Sequence, residues 1–311
     1  MNIVFMGTPD FAVPCLKALI DNGENVQAVF TQPDKPKGRG YKLTPPPVKE
    51  LALTHNIPVY QPISLKSGED AETTMKVLNE LSPDLIIVVA YGKILPKAIL
   101  DLPKYCINVH ASLLPRYRGA GPIQWSVLNG EKTTGVTTML MAEGLDTGDM
   151  LISESVDIGE NETASELHDR LSVLGADVLI KTIQAVKSNT LTPIKQDDSL
   201  SNYAPMLTKD MCAIDFTKSA QEVHNKIRGL STFPGAMTML NDKRLKIYKS
   251  VCTQDTSDKI AGTVVNTDNF TVVCGDGKCV QFVEVQLEGS KRMSTSDFLR
   301  GKSIEKGTIL K

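Results

Sequence analysis

The stretch "DLIIVVAYG", residues 84–92, decides the fold class of this chain. The run is too uniformly apolar to leave one face of a strand in water, and such strands belong to parallel sheets that helices cover on both faces. It is the longest apolar run in the sequence. A membrane-spanning helix needs roughly 18 or more such residues, so we expect a buried parallel strand here and no membrane segment.

Strand and helix patterns alternate on both sides of this run. Short apolar strands are predicted at 2–7, 26–32 and 106–111, and segments with helical patterns lie between them. The segment 163–189 repeats leucine and valine at helical spacing and closes the region. The pattern predicts a mostly parallel α/β domain over residues 1–189.

The stretch "TLTPIKQDDSLSNYAPMLTKD", about 190–210, has two prolines and no sustained periodicity. We interpret 190–206 as a linker and 207–311 as a second, smaller domain. In that domain the segment 219–230 has a helical pattern. Short strands with turn signals between them follow at 244–251, 261–267, 270–275 and 279–287. This spacing is typical of a small barrel or a sandwich.

Composition describes an ordinary folded protein, with 41 % hydrophobic and 23 % charged residues and a net charge of -2. The charge is uneven: residues 206–311 carry 16 Lys+Arg against 12 Asp+Glu, or +4, and residues 1–205 carry 18 against 24, or -6. This basic third favours a polyanionic partner. The N-terminal residues lack the pattern of a signal peptide, so a cytoplasmic location is expected.

The six cysteines have no metal-binding spacing and no matching histidines. Neither disulfide bonds nor a metal site is predicted. Cys274 and Cys279 flank "GDGK" and are interpreted as positions on the arms of a hairpin. His55, His168 and His224 are interpreted as ordinary surface positions of helices.

Chemically useful side chains appear where the strand at 106–111 ends. Asn108 and His110 are two residues apart, so on one strand they point to the same face. Asp146 lies in a glycine-rich turn after the predicted strand 135–141. If the two strands are neighbours, the carboxylate reaches the imidazole, holds its orientation and stabilises its protonated form. Taken singly, each of these residues is more often structural than catalytic.

The segment "KPKGRGYK", residues 35–42, is a basic loop without an apolar anchor, and it holds Lys35, Lys37, Arg39 and Lys42. By itself such a loop is as often a solvated surface segment as a phosphate-binding one. The nearby "GTPDF" at 7–11 lacks the further glycines of a dinucleotide-binding turn.

Two long motifs resemble the signature of the folate-dependent formyltransferases: "NVHASLLPRYRGAGPIQ" (108–124) and "GVTTMLMAEGLDTGDML" (135–151). Further segments resemble the members of that family that act on methionyl-tRNA. These are "FMGTPDFAV" (5–13), "TQPDKPKGRG" (31–40), "PPPVKELA" (45–52), "VVAYGKILP" (88–96) and "FPGA" (233–236). The resemblance therefore covers essentially the whole chain.

The resemblance implies a Rossmann-like N-terminal domain and a C-terminal β-barrel similar to the oligonucleotide-binding fold. It implies transfer of a formyl group from 10-formyltetrahydrofolate to the α-amino group of methionyl-initiator tRNA, with Asn108, His110 and Asp146 as catalytic residues. It places the folate against 89–92 and 112–115, which are Val89, Ala90, Tyr91, Gly92, Ser112, Leu113, Leu114 and Pro115. It also assigns the basic loop to the acceptor end of the tRNA, with Arg39 as its sensitive position.

Two other functions stay open. A formyltransferase acting on a small amine, such as an amino sugar nucleotide, would use the same three residues. A non-catalytic folate- or RNA-binding protein could keep the fold, although it would have no reason to keep all three residues. The sequence leaves two uses for Arg116 and Arg118, pairing with carboxylates or approaching the tRNA. A monomer is expected.

Overall fold

The computed structural model describes residues 1–37 and 42–311. This part of the chain divides into two compact units. The first unit contains Met1–Gly119, Gly135–Val156 and His168–Tyr203. The second contains Ala120–Thr134, Asp157–Leu167 and Ala204–Lys311. Two short segments that precede residue 168 thus pack with the C-terminal residues. No helix among the described residues has both the length and the apolar character needed to cross a membrane.

Strands and helices alternate through the N-terminal part of the chain. The strands are β1 (Asn2–Gly7), β2 (Asn25–Phe30), β3 (Lys35–Lys37), β4 (Lys42–Thr44), β5 (Val59–Tyr60), β6 (Leu85–Val89), β7 (Tyr105–His110), β8 (Thr133–Leu140) and β9 (Met150–Asp157). The α-helices are α1 (Val13–Asp21), α2 (Pro47–Thr54), α3 (Glu69–Leu81), α4 (Lys97–Leu100), α5 (Pro122–Leu128) and α6 (Ala164–Lys187). A short 3₁₀ turn, Asp10–Ala12, precedes α1.

Within the described residues, seven of these strands form one sheet in the order β5-β2-β1-β6-β7-β8-β9. The pairs from β5 to β7 are parallel, and β8 runs antiparallel to β7. The expected α/β fold with a mostly parallel sheet is therefore confirmed. The parallel pairs place the ends of β1, β6 and β7 at one edge of the sheet.

Burial explains why these segments form the centre of the sheet. Every residue of β6 is buried, as the continuous apolar run predicts. One face of the sheet packs Val4, Met6 and Ile86 against Leu78 of α3 and Ile99 of α4. Each such side chain stabilises the fold by roughly 1.5 to 3 kcal/mol relative to an exposed one. The strand ends that follow are therefore attached to a rigid core.

The second unit is built on an antiparallel sheet. Its strands are β10 (Ala236–Leu240), β11 (Lys243–Thr256), β12 (Val264–Asn266), β13 (Thr271–Val273), β14 (Lys278–Leu287) and β15 (Met293–Ser294). It contains α5 and two further helices, α7 (Ala220–Gly229) and α8 (Thr295–Gly301), and a 3₁₀ turn at Lys209–Cys212. Another 3₁₀ turn, Asp198–Leu200, belongs to the first unit. A capping box starts α7, because Ser219 and Glu222 each bind the other's backbone N–H.

The sheet follows the order β10-β11-β14-β13-β12, and the C-terminal tail connects its two edges. Met239 of β10 donates to the carbonyl of Lys311 at 2.8 Å, and Val264 of β12 donates to Thr308 at 2.8 Å. Phe270 and Phe282 pack inside, with ring centroids 5.0 Å apart. Of the two architectures that the sequence left open, the barrel is confirmed. Val273 pairs with Cys279, so the hairpin around "GDGK" is also confirmed.

The prediction for His224 was wrong. This side chain is 1 % exposed, and its ring nitrogens lie 2.9 Å from Ser250 Oγ and 3.1 Å from the carbonyl oxygen of Glu160. Burial lowers the pKa of His224 from its ordinary value. Helical spacing alone does not distinguish a buried polar side chain with hydrogen-bond partners from an exposed one.

Candidate active site

The two segments expected to hold folate lie at the same edge of the sheet, because β6 and β7 are parallel neighbours. Val89 is buried at the end of β6, and Ala90 is exposed with a φ of 45°. The Tyr91 side chain is buried, but its carbonyl accepts hydrogen bonds from Thr8 Oγ1 at 3.0 Å and Gln32 Nε2 at 3.2 Å. From Val89 to Gly92, this segment therefore offers mainly backbone groups at the edge of the sheet.

The segment from Ser112 to Pro115 follows β7 and is held in a turn. Ser112 Oγ donates to the carbonyl of Arg116 at 2.6 Å, while Thr137 Oγ1 donates to the carbonyl of Ser112 at 2.8 Å. Ser112 and Leu114 are buried, whereas Leu113 and Pro115 are half-buried. The serine hydroxyl thus serves the local backbone.

Asn108 and His110 lie on β7, between β6 and β8, and the strand alternation turns both side chains to one face. Asn108 is half-buried and His110 is 6 % exposed. His110 Nε2 lies 2.9 Å from the carbonyl oxygen of Tyr117. A carbonyl oxygen can only accept, so Nε2 carries the hydrogen of this bond. Nδ1 is the ring nitrogen that remains for a second partner.

Asp146 lies beside the imidazole, as expected for neighbouring strands. Its Oδ2 is 3.6 Å from His110 Nδ1 and accepts a hydrogen bond from the Gly119 N–H at 2.8 Å. The two side chains are 7 % and 13 % exposed, so the pair is largely shielded from water. The structure thus brings His110 and Asp146 together next to Asn108. This arrangement can hold a polar substrate oxygen and exchange a proton.

The structure also gives partners to the two arginines. The Arg116 guanidinium lies over the Tyr117 ring, 5.1 Å from its centroid. Arg118 donates to Gln196 Oε1 and pairs with Asp198 at 2.7 Å. Pairing with a carboxylate is therefore the observed arrangement for Arg118.

Sequence reasoning missed two residues near the site, Gln196 and Asn202. Both lie in the segment interpreted as a linker, yet they bond to backbone groups of the loops around Asp146 and Tyr117. The sequence offered no signal for them, because neither periodicity nor a motif marks a bond across 50 or 85 residues.

The described ends of the basic segment are β3 and β4, which pair antiparallel. Lys35 pairs with Thr44, and Lys37 pairs with Lys42. Lys35 is exposed, and Arg39 lies outside the described residues. Asp34, directly before β3, accepts hydrogen bonds from Lys49 Nζ and Gln61 Nε2, both at 2.8 Å. The hydrogen bond from Lys49 is the main reason why the pKa of Asp34 lies below its ordinary value.

Comparison with known proteins decides the family. The model of the Formyl transferase family matches residues 1–183, and the model of its C-terminal domain matches residues 206–303. The chain belongs to the formyltransferase family. The resemblance first seen in the two long motifs is thereby confirmed, and this formyltransferase carries both domains of the family.

Full-length relatives share about half of its residues. The formyltransferase is 55 % identical over 314 residues to the "Methionyl-tRNA formyltransferase" of Clostridium novyi (strain NT), with 100 % of both chains covered. It is 53 % identical to the enzyme of that name from Alkaliphilus oremlandii (strain OhILAs), with 100 % and 99 % covered. A solved N-formyltransferase from Helicobacter canadensis, in complex with folinic acid and dTDP-3-aminofucose, has a TM-score of 0.69 and 24 % identity over 90 % of this chain and 98 % of its own. At that identity the structural likeness shows the fold alone.

Proposed function

We propose that this formyltransferase transfers the formyl group of 10-formyltetrahydrofolate to the α-amino group of methionyl-initiator tRNA. One observation carries the proposal: the identity of 55 % to a methionyl-tRNA formyltransferase extends over both chains from end to end. A relative that shared only the catalytic domain would say nothing of the acceptor. Here the likeness includes the basic C-terminal residues.

The geometry supports a division of roles among the three side chains. Asn108 donates to the formyl oxygen as negative charge develops there, since an amide donates without titrating. His110 shares that oxygen and shuttles a proton through Nδ1, because its Nε2 is bonded to the Tyr117 carbonyl, which fixes the ring. Asp146, directly or through a water, collects the proton that the attacking amine loses. An α-amine titrates near ~8 and an ester lowers this value, so a modest base suffices.

Folate binds against 89–92 and 112–115 in this proposal. These residues follow parallel neighbouring strands and offer backbone groups and partly exposed apolar side chains. Apolar walls with a few backbone hydrogen bonds suit a pterin ring. The co-substrate supplies the formyl group, while Asn108 and His110 lie at the end of the adjoining strand.

For the tRNA, we propose that the basic segment 35–42, with Lys35, Lys37, Arg39 and Lys42, contacts the acceptor end. The positive charges of such a segment neutralise backbone phosphates of the RNA. The domain from 207 to 311 binds the backbone of the acceptor arm, and its charge balance supports this. We propose that residues 1–189 form the catalytic domain and 190–206 the linker. We also propose that the protein is a monomer in the cytoplasm.

The test is formyl transfer by the purified protein, with methionyl-initiator tRNA or a set of small amines that includes an amino sugar nucleotide. We expect rapid formylation that depends on the tRNA and is lost in Asn108→Ala and His110→Ala. Transfer to a small amine alone would overturn the assigned acceptor while keeping the three catalytic residues. No transfer to any acceptor would favour a binding protein without catalysis.

A further inference from the structure

The segment that follows Ile194 runs between two loops of the active site. Ile194 and Met150 exchange both of their backbone hydrogen bonds, each at 2.8 Å. Further along, Tyr203 forms a parallel bridge with Arg118, whose N–H donates to the carbonyl of Asn202 at 3.0 Å. The segment is thus tied at both ends to backbone that flanks the catalytic residues.

Gln196 is the buried side chain of this segment, at 6 % exposure, and it bonds to both loops. Its Nε2 donates to the carbonyl of Asp146 at 2.8 Å and to that of Gly148 at 2.7 Å. Its Oε1 accepts from Arg118 Nε at 3.1 Å and from Nη2 at 2.8 Å. Both ends of one amide are therefore fully used, and a buried amide can hold this arrangement only with its partners in place.

The hydrogen bonds of Gln196 stabilise an unfavourable backbone conformation at Asp146. Asp146 has a φ of 51°, a left-handed conformation that residues with a Cβ adopt at a cost. This conformation directs Oδ2 to the Gly119 N–H and to His110 Nδ1. The two carbonyls held by Gln196 fix the backbone of the loop on each side of Thr147.

Asn202 acts in the same way on the other side of the imidazole. Its Oδ1 accepts from the Tyr117 N–H at 2.5 Å. Tyr117 also has a left-handed φ, 59°, and its carbonyl accepts from His110 Nε2. Each ring nitrogen of His110 therefore faces a group whose backbone is held by a side chain from 196–202.

We propose that Gln196 and Asn202 are positioning residues that set the orientation of the His110–Asp146 pair for formyl transfer. Neither touches the reacting atoms; each acts through the backbone that presents Asp146 or Tyr117. This inference rests on the proposed function for its catalytic consequence, but the orientation of the imidazole can be measured without any turnover.

Asn202 gives the cleaner variants, because it is exposed and its replacement leaves the core intact. Asn202→Ala removes the accepting oxygen, whereas Asn202→Asp keeps one. Gln196→Met removes all four bonds of the buried amide at similar length. Gln184, exposed on α6, supplies the matched control Gln184→Met.

Three quantities are measured for each variant: kcat and KM for both substrates, the thermal midpoint, and the nitrogen-15 spectrum of the histidine rings. The chain has only 4 histidines, so His110→Gln assigns the signal of His110. We expect kcat to fall about tenfold in Asn202→Ala and about 10- to 100-fold in Gln196→Met, with both KM values within about twofold. The ring-nitrogen signals of His110, whose Nε2 and Nδ1 face the Tyr117 carbonyl and the Asp146 carboxylate, should shift from those of the wild type. Asn202→Asp should restore both properties, and Gln184→Met should change nothing.

An unchanged His110 spectrum and unchanged kcat in Asn202→Ala would overturn the proposal. A loss of kcat that only follows a loss of folded protein, with the spectrum of the folded fraction intact, would also overturn it. If Gln196→Met does not fold, the Asn202 pair decides. If the wild-type protein transfers no formyl group, the proposed function fails, while the change in the His110 spectrum still decides whether these residues orient the imidazole.

Discussion

Replacing Asp146 by asparagine removes the charge beside His110 while keeping the shape of the side chain. Asparagine can still accept from the Gly119 N–H through its Oδ1, so the loop keeps that bond. What disappears is the attraction between a carboxylate and a protonated imidazole, and the ability to collect a proton. We expect Asp146→Asn to fold normally and to lose catalytic turnover.

The size of the loss follows from the geometry of the pair. When His110 takes up a proton during transfer, the two unit charges 3.6 Å apart attract by about 4 to 5 kcal/mol at an effective dielectric constant of about 20. Desolvation and the remaining exposure of Asp146 offset part of this, and bonds to charged groups typically retain about 1.5 to 3 kcal/mol. Since about 1.4 kcal/mol corresponds to a factor of ten, the expected fall in kcat is about 10- to 150-fold.

A double-mutant cycle measures whether the two residues act as one unit. Single-turnover rates are compared for the wild type, Asp146→Asn, His110→Ala and the double variant, with saturating folate and methionyl-tRNA. Groups that act together are strongly non-additive, so the double variant should lose little more than the worse single variant. Glu143→Gln, in the same loop but exposed, is the control and should stay within about twofold of wild type.

Two results would refute this reasoning. If the losses of the single variants multiplied in the double variant, His110 and Asp146 would contribute independently and the contact would not matter for turnover. If Asp146→Asn kept its kcat and raised only the KM for folate, Asp146 would be a binding residue.

Three further predictions concern other parts of the chain. Arg39→Ala should raise the KM for methionyl-tRNA several-fold and reduce the salt slope of tRNA binding by about one, while KM for folate is unchanged; titrations at several salt concentrations check this. Burial lowers the pKa of His224, so as the pH falls the unfolded chain takes up a proton at this ring before the folded protein does. The free energy of unfolding should therefore fall as the pH drops below about 6.5. Thermal midpoints measured from about pH 7.5 to 5 check this and should decline less in His224→Gln. Although burial opposes it, hydrogen bonds from Lys249 and Thr163 lower the pKa of Glu166 to about 2, so their stabilisation is present above about pH 4.5 and is lost as the pH falls toward about 2. Glu166→Gln should therefore lower the free energy of unfolding at neutral pH by at most about 1 kcal/mol, as expected for an exposed pair, and by progressively less in acid; thermal midpoints measured across this pH range check it.

Strand periodicity was the main basis for predicting where Asn108 and His110 lie. A spacing of two fixed Asn108 and His110 on one face, and the apolar run 84–92 fixed the parallel neighbour beside them. The position of Asp146 was predicted only on the condition that its strand lies next to β7, and that pairing is observed. These features follow from residue spacing within a strand and from the regular geometry of a sheet, and both can be inferred from the sequence.

The supporting bonds could not be predicted in this way. Gln196 lies 50 residues from Asp146 and bonds to its carbonyl, a group that every residue type possesses. Nothing in the sequence marks one carbonyl as the partner of a distant amide. The same reason explains His224, whose partners are a serine hydroxyl and a carbonyl, and the closure of the barrel by backbone bonds of the C-terminal tail.

Backbone conformation links these missed contacts to the chemistry. Ala90, Tyr117 and Asp146 all have positive φ values, 45°, 59° and 51°, and all three lie at the edge of the sheet that carries the site. A left-handed conformation costs a residue with a Cβ roughly 1 to 2 kcal/mol, so it persists only where other contacts enforce it.

At each of these positions a nearby carbonyl accepts from a polar side chain. The carbonyl of Tyr91 accepts from Gln32, that of Tyr117 from His110, and that of Asp146 from Gln196. The backbone that presents the proposed catalytic residue Asp146 is thus held by the amide of Gln196, and the backbone of Tyr117 is bonded to the His110 ring. Substitutions that alter those amides change the geometry of the site without touching a catalytic residue, because the backbone turn is the element that transmits the change.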